Sequence, residues 1–374
     1  MKYYIIAGEA SGDLHGSNLI KELKKVDENA TIRAWGGELM ENEGAQLAKH
    51  YKDLAFMGFV EVLLNIRTIS KNFKFCTEDI QAFKPDLVIF IDYPGFNLRM
   101  AKKLKKLGYK TAYYISPQLW AWKKGRVKIV KRFIDKMFVI LPFEKDFYKK
   151  HNYEVEYVGH PLLDAVKNET ASSYDGSQVE EIRKKDKREI IALLPGSRKQ
   201  ELQKMLPLMS KVSVHFPDYQ FVVAGVGWQS EQFYQKLTQN SDVKIVYNET
   251  YSLLKNSHAA LVTSGTATLE TALFRVPQVV CYKGNPISYL IARSLVKGIK
   301  YISLVNLIAD KELVTELIQG DYNMENVSKN LSKIISKGEK RDNVLRAYDK
   351  LIELLGDGGA SATVANKIYS MAKE

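Results

Sequence analysis

The chain has 374 residues, 45% of them hydrophobic. At ~150 residues per domain this predicts two buried cores and excludes a disordered polybasic chain. Lys and Arg total 55 against 43 Asp and Glu, a net charge of +12 that favours polyanionic partners: nucleic acid, phosphorylated small molecules or an anionic membrane face. The two cysteines, Cys76 and Cys281, lie far apart, which excludes a disulfide framework or Cys-rich zinc site and fits a reducing cytoplasm.

The first apolar run, residues 3–7, is too short for a signal peptide and reads as a strand. Similar runs follow at residues 31–35, 87–91, 111–115, 136–140 and 155–158. Their apolar residues are continuous rather than alternating, as in strands buried on both faces. Helical patterns lie between them, at residues 16–26 and 98–107 among others. This alternation predicts a doubly wound parallel sheet. The longest apolar stretch, residues 55–66, is interrupted by Glu61 and falls short of the ~20 residues that cross a bilayer.

Residues 166–188 are polar and strongly charged, and read as a linker. A second series of strands is expected from Glu189, then at residues 219–224, 243–246, 259–262, 278–281 and 301–304. Residues 343–373 read as one or two helices, broken at the glycines of residues 356–359. The expected division is therefore a Rossmann-like domain at residues 1–168, a second at 187–342, and C-terminal helices at 343–374 that return to the first domain or reach a partner subunit. Ligands of open parallel sheets bind outside the carboxyl ends of the strands, so chemistry is sought in those loops, facing each other across a cleft.

GEASGD, residues 8–13, follows the first strand as a glycine turn before a helix expected near Leu14. It can receive an anion, with Ser11 or Asp13 as a plain helix cap the competing role. Asp92 ends the most hydrophobic strand of the first half before Pro94 and Gly95. A carboxylate so placed is partly desolvated and suits a general base, and capping of the next helix falls better to Asn97. In the second domain, LLPGSRKQEL puts Ser197 and Arg198 at a strand-to-helix turn, where a guanidinium and free amides suit a diphosphate. The turn SGTATLE repeats that geometry at Gly265 and Thr266, with Glu270 one turn into the helix to accept from a ribose diol; for either turn alone capping by Ser197 or Ser264 is the commoner role, and two such turns in one domain shift the balance toward a nucleotide. AGVGWQ has Ser230 where a dinucleotide fingerprint needs its third glycine, so no NAD site is expected. The six histidines show no metal-ligand spacing, and His160 reads as structural.

Phe56, Phe59, Leu63 and Ile66 form one helical line, with Met57, Val60 and Leu64 beside it and Arg67, Lys71 and Lys74 following. Such a helix suits a membrane interface, and equally a buried position. The runs KKLKKLGYK and KKGRVKIVKRFIDK add cations to the first half, and Trp120 and Trp122 precede the second of them.

Together these segments resemble the lipid-A-disaccharide synthase family: GEASGD, MGFVEVL, the Asp92 loop, SPQLWAWKKGR, LPFEKDFY, VGHPLLD, LLPGSRKQEL, SGTATLE and SLVNLIA occur in order over nearly the whole chain. One departure stands out: the family's acidic loop often reads D-A-P-D-F-N, and here Tyr93 and Gly95 replace its second and fourth residues.

The resemblance implies a GT-B fold, two Rossmann-like domains with the nucleotide sugar held mainly by the second. It further implies an inverting glycosyltransferase that takes 2,3-diacylglucosamine from UDP to the 6-hydroxyl of 2,3-diacylglucosamine 1-phosphate, with neither metal nor cofactor. Asp92 is then the base, and Arg198 stabilises departing UDP with turn amides near Ser197 and Gly265. Glu270 fixes the ribose, and Thr266, Tyr282, Lys283 and Asn306 are further donor-side candidates. Ser11, Asp13 and His15 shape the acceptor side. Phe56, Met57, Phe59, Val60, Leu63 and Leu64 meet the cytoplasmic face of an anionic inner membrane, and a homodimer through the C-terminal helices is compatible with the resemblance. Competing readings are a UDP-sugar epimerase, another membrane-associated glycosyltransferase and a basic nucleic-acid binder. The last lacks any helix-turn-helix, zinc or RNA-binding signature, so no nucleic acid is expected.

Overall fold

A computed structural model describes residues 1–54, 66–120, 124–169, 176–239, 241–285, 289 and 300–374. They divide into two units, Met1–Ala165 with Leu355–Glu374, and Val166–Leu354. Each is built on a parallel sheet.

In the first unit the strands are β1 (Lys2–Ala7), β2 (Thr31–Gly36), β3 (Gln46–His50), β4 (Leu87–Ile91), β5 (Thr111–Tyr114), β6 (Lys136–Val139) and β7 (Glu156–Tyr157), in the order β3-β2-β1-β4-β5-β6-β7. The order reverses between β1 and β4, whose residues 3–7 and 87–91 are completely buried. Continuous burial explains their unbroken apolar sequences, and the loops after these two strands occupy the switch point where doubly wound sheets bind ligands. Trp35, Phe90, Phe96, Tyr113 and Tyr148 fill one face of the core. The helix Ala10–Val26 covers the sheet together with the last helix of the chain, Ala360–Lys373.

That last helix is an integral part of the first unit. Gly356, Gly358 and Gly359 have φ of 84°, 87° and 81° and end the preceding helix, Glu339–Leu355. Asp164 then caps the new one, accepting from the Gly359 amide at 2.5 Å and the Ser361 amide at 2.9 Å. Val364, Ala365 and Ile368 are fully buried.

In the second unit β8 (Glu189–Leu194), β9 (Tyr219–Gly225), β10 (Val243–Tyr247), β11 (Ser257–Thr263), β12 (Gln278–Tyr282) and β13 (Glu316–Ile318) are ordered β10-β9-β8-β11-β12-β13. The switch point lies between β8 and β11. At the edge, the Gln178 side chain imitates a neighbouring strand, donating to the Tyr247 carbonyl at 3.0 Å and accepting from its amide at 3.1 Å. This blunts an edge that would otherwise invite pairing.

The structure departs from the sequence-based expectations at several places. β3 has no counterpart among the expected strands, because QLAKH has no apolar run and is half-buried. Residues 301–304 do not form the last strand: Ser303 caps the helix Leu304–Ala309, and β13 supplies the sheet edge. Part of the expected linker, Ser177–Lys185, is helical and anchored by Val179, with Glu249 accepting from the Gln178 and Val179 amides. The helices Ala10–Val26 and Pro94–Lys106 begin four residues or more earlier than their apolar periodicity indicates.

Candidate active site

The loop after β4 holds Asp92 in a strained backbone. Asp92 and Tyr93 both lie in the left-handed region, with φ of 42° and 49°, and Ile115 just after β5 has φ 65°. Each such residue costs on the order of 1–2 kcal/mol, and runs of them concentrate where function requires an unusual geometry. The strain is held by two side chains on the Asp92 carbonyl, the Asn97 amide at 2.7 Å and the Tyr113 hydroxyl at 2.5 Å. Asn97 is completely buried and also reaches the Ile6 and Ile91 carbonyls, so it ties the ends of β1 and β4 together. It lies within its helix and does not cap it, since the cap position is Tyr93.

Burial lifts the Asp92 carboxyl to about 7, and the nearby Glu9 carboxylate pushes in the same direction against one backbone hydrogen bond. A carboxyl with that affinity for a proton is poised as a base near neutrality. Glu9, two residues beyond β1, is absent from the sequence-based candidates, since GEASGD stands out for its glycines. Its adjacency to Asp92 follows only from the β1–β4 pairing, which puts Ala7 opposite Ile91.

The other residues of the first turn are structural or partly so. Asp13 does not cap its own helix. Its oxygens accept from the amides of Gly37 at 2.7 Å, Met40 at 3.1 Å and Leu39 at 3.2 Å, which fixes the loop after β2. His15 and His160 are buried and electrostatically coupled, and burial lowers them to about 4 and 3, so both are neutral at physiological pH. Ser11 is half-buried on the first helical turn. Trp120 packs edge-on against Phe143 at 5.0 Å. The expected membrane residues Phe56, Met57, Phe59, Val60, Leu63 and Leu64, and Trp122, lie outside the described residues.

In the second unit Arg198 is exposed after β8, 3.3 Å from Glu201, whose carboxylate also accepts from the Arg198 amide. Both charges act on Tyr282 at the end of β12, so these three side chains share one neighbourhood. Ser197, Thr266 and Lys283 are exposed at the ends of β8, β11 and β12. Gly265 has φ 153° and ψ −161°, a conformation open essentially to glycine, and it precedes the helix Thr266–Leu273. Beside it the Thr263 hydroxyl is buried without a partner among the described residues. Glu270 accepts from the Tyr251 hydroxyl at 2.8 Å, and burial raises its pKa. Ser264 is not the helix cap but donates to the Ile302 carbonyl at 2.9 Å.

Asn306 departs from its expected role. It is completely buried, its amide donates to Val314 and Glu316, and its oxygen accepts from the amides of Leu313 and Val314. With all its hydrogen-bonding capacity used, it organises the approach to β13 and offers nothing to a ligand in this conformation. Among the described residues no cluster of three His, Cys, Asp or Glu side chains forms a candidate metal site.

A sequence profile described as Lipid-A-disaccharide synthetase matches residues 3–365. The chain belongs to this family. The lipid-A-disaccharide synthase of Syntrophus aciditrophicus is 38% identical over 99% of this chain and 97% of its own length. That of Geobacter sulfurreducens is 34% identical over 98% and 96%. Among solved structures, the UDP-GlcNAc 2-epimerase from Neisseria meningitidis bound to UDP-GlcNAc superposes with a TM-score of 0.69 at 13% identity, covering 99% of this chain and all of the epimerase. A glycotransferase of kitacinnamycin gives 0.66 at 12% identity, covering 99% and 98%. At such identities the likeness establishes the GT-B fold alone, whereas membership of the synthetase family rests on the sequence match.

Proposed function

We propose that the chain is a lipid-A-disaccharide synthase in which Asp92 serves as the general base. It is a glycosyltransferase that uses a UDP-sugar and a lipid A precursor, as its family membership implies. The donor is UDP-2,3-diacylglucosamine and the acceptor 2,3-diacylglucosamine 1-phosphate. The observation that carries the assignment of the base is a carboxyl raised to about 7 on a strained turn at the switch point of its sheet.

In the reaction, Asp92 takes the proton of the acceptor 6-hydroxyl as that oxygen attacks the anomeric carbon. The bond from that carbon to the UDP oxygen breaks on the opposite face, so configuration inverts. A placed base of this kind contributes ~10²–10⁴-fold. Arg198, the Gly265 turn amides and the start of the helix Thr266–Leu273 meet the charge that builds on UDP. Glu270 receives the ribose hydroxyls, with Tyr282 and Lys283 further along the same strand ends. Asp13, His15 and Ser11 support the acceptor side, Asp13 through the β2 loop it holds.

The acylated substrates reside in a membrane. Exposed Lys102, Lys103, Lys106, Lys128, Lys131 and Arg132, each worth ~1 kcal/mol near an anionic leaflet, support peripheral association with the cytoplasmic face of the inner membrane. Residues 56–64 provide the apolar contact, and the C-terminal helices the contact of a homodimer. No described helix is long and apolar enough to cross a bilayer.

The test is mass-spectrometric detection of the disaccharide phosphate from the two substrates, with and without EDTA. Product is expected in both, and loss of product in EDTA would overturn the metal-free mechanism. The variant Asp92→Asn should lose ~10²-fold or more of the rate, and near-normal turnover would remove Asp92 from the role of base.

A further inference from the structure

Tyr93 is the side chain on the β4 turn whose placement the fold has gone furthest to secure. It is an aromatic residue in the left-handed region, directly after another left-handed residue, and its carbonyl is fixed by the amides of Phe96 at 3.3 Å and Asn97 at 3.0 Å. Its ring lies flat over Gly8 just after β1: a Cβ built on Gly8 would fall within 2.6 Å of ring carbons of Tyr93. Only glycine admits the ring there. Phe96 stacks on it with ring centres 5.7 Å apart and planes inclined by 25°. Phe73 and Trp35 pack in turn on Phe96, at 4.3 Å and 5.1 Å.

The ring thus packs against both Gly8 and Phe96, which fixes its position on the turn. Tyr93 nevertheless remains partly exposed, and its hydroxyl makes no hydrogen bond among the described residues. A rigid ring has thus been placed beside Asp92 and Glu9 with its polar end unspent. Strain retained at a ligand-facing turn signals a functional constraint, and a pre-organised donor binds with little loss of side-chain freedom.

We propose that Tyr93 is an acceptor-binding and specificity-determining residue, its hydroxyl hydrogen-bonding a polar substituent of the acceptor sugar and thereby orienting the attacking hydroxyl toward Asp92. This rests on the reading of the first unit as the acceptor side. It assigns to the phenol a role distinct from proton removal: it sets where the acceptor sits and leaves the chemical step to the carboxylate.

The decisive variant is Tyr93→Phe, which keeps the packed ring and the turn. It should raise the acceptor KM about five- to tenfold, the size of one neutral hydrogen bond. The donor KM should stay within twofold. Titration calorimetry with diacylglucosamine 1-phosphate in mixed micelles should show the same weakening without turnover. Gly8→Ala, which displaces the ring, should reproduce the acceptor defect in a folded protein. An acceptor Kd and KM within twofold of wild type in Tyr93→Phe would overturn the inference, as would an equal rise in the donor KM. A wild-type protein that binds acceptor but forms no disaccharide would overturn the functional reading, and the calorimetric comparison would still decide the role of Tyr93.

Discussion

The side-chain amide of Asn97 lies 2.7 Å from the backbone carbonyl of Asp92, five residues before it in the chain. The residue expected to cap a helix instead holds the turn on which the base sits, and through Ile6 it also fixes the neighbouring strand. Removing this amide by Asn97→Ala should cost roughly 1–3 kcal/mol, because buried carbonyls lose their partner. It should also lower kcat more than either KM. Chemical denaturation and steady-state kinetics measure the two effects, and a stability loss with unchanged kcat would limit Asn97 to a packing role.

The raised Asp92 carboxyl makes a pH prediction for activity and another for stability. The deprotonated form is the base, so the rate should rise with pH through an acid limb near 7. The folded pKa exceeds the unfolded value, so the native state binds the extra proton between about 4 and 7. The contribution of this group to stability is therefore full below that window and lost as pH rises through it. Asp92→Asn should flatten this segment of the stability profile, which thermal melts across that range would show.

Arg198 is half-exposed, its side chain 54% accessible, and its ion pair with Glu201 lies on the surface of the same turn, so Arg198→Ala should leave the melting temperature within a degree or two. The turnover should nonetheless fall ~10²-fold, as when one preorganised donor to a developing anion is removed. Unchanged donor kinetics would place the guanidinium outside the site.

Gly265 is surrounded by open space, with nothing within 4 Å of the position a Cβ would take, yet its φ is 153°. Gly265→Ala thus tests backbone strain free of any clash. A penalty of about 1–3 kcal/mol is expected, together with weaker UDP binding. Equal UDP affinity by calorimetry would mean that the turn does not contact the nucleotide.

For residues 56–64, charging Met57 or Val60 should reduce recovery on anionic vesicles while leaving the fold intact. Equal recovery of variant and parent would favour a buried helix.

The sheets are largely legible in the sequence because their central strands are buried on both faces, and continuous apolar runs such as LVIFI admit few other structures. Legibility ends where a residue's partner is distant along the chain. Asp13 reads as a cap for its own helix, and only the fold reveals that it serves the amides of residues 37–40. Asn306 sits in a family motif and looks like a ligand contact, but its partners at Leu313, Val314 and Glu316 are invisible until the loop closes. Glu9 acquires meaning only when β1 is paired with β4. β3 and β13 escape detection because short edge strands carry too few apolar residues to show a period.

The return of Ala360–Lys373 to the first unit has a consequence for biogenesis. Residues 1–165 leave the ribosome well before the helix that covers Ala10–Val26 is made. The second unit, contiguous in sequence, can therefore reach its final state while the first still exposes the surface awaiting that helix. Loss of the 14 residues of this helix would then strike the first unit, leaving it vulnerable to aggregation while the second stays well formed.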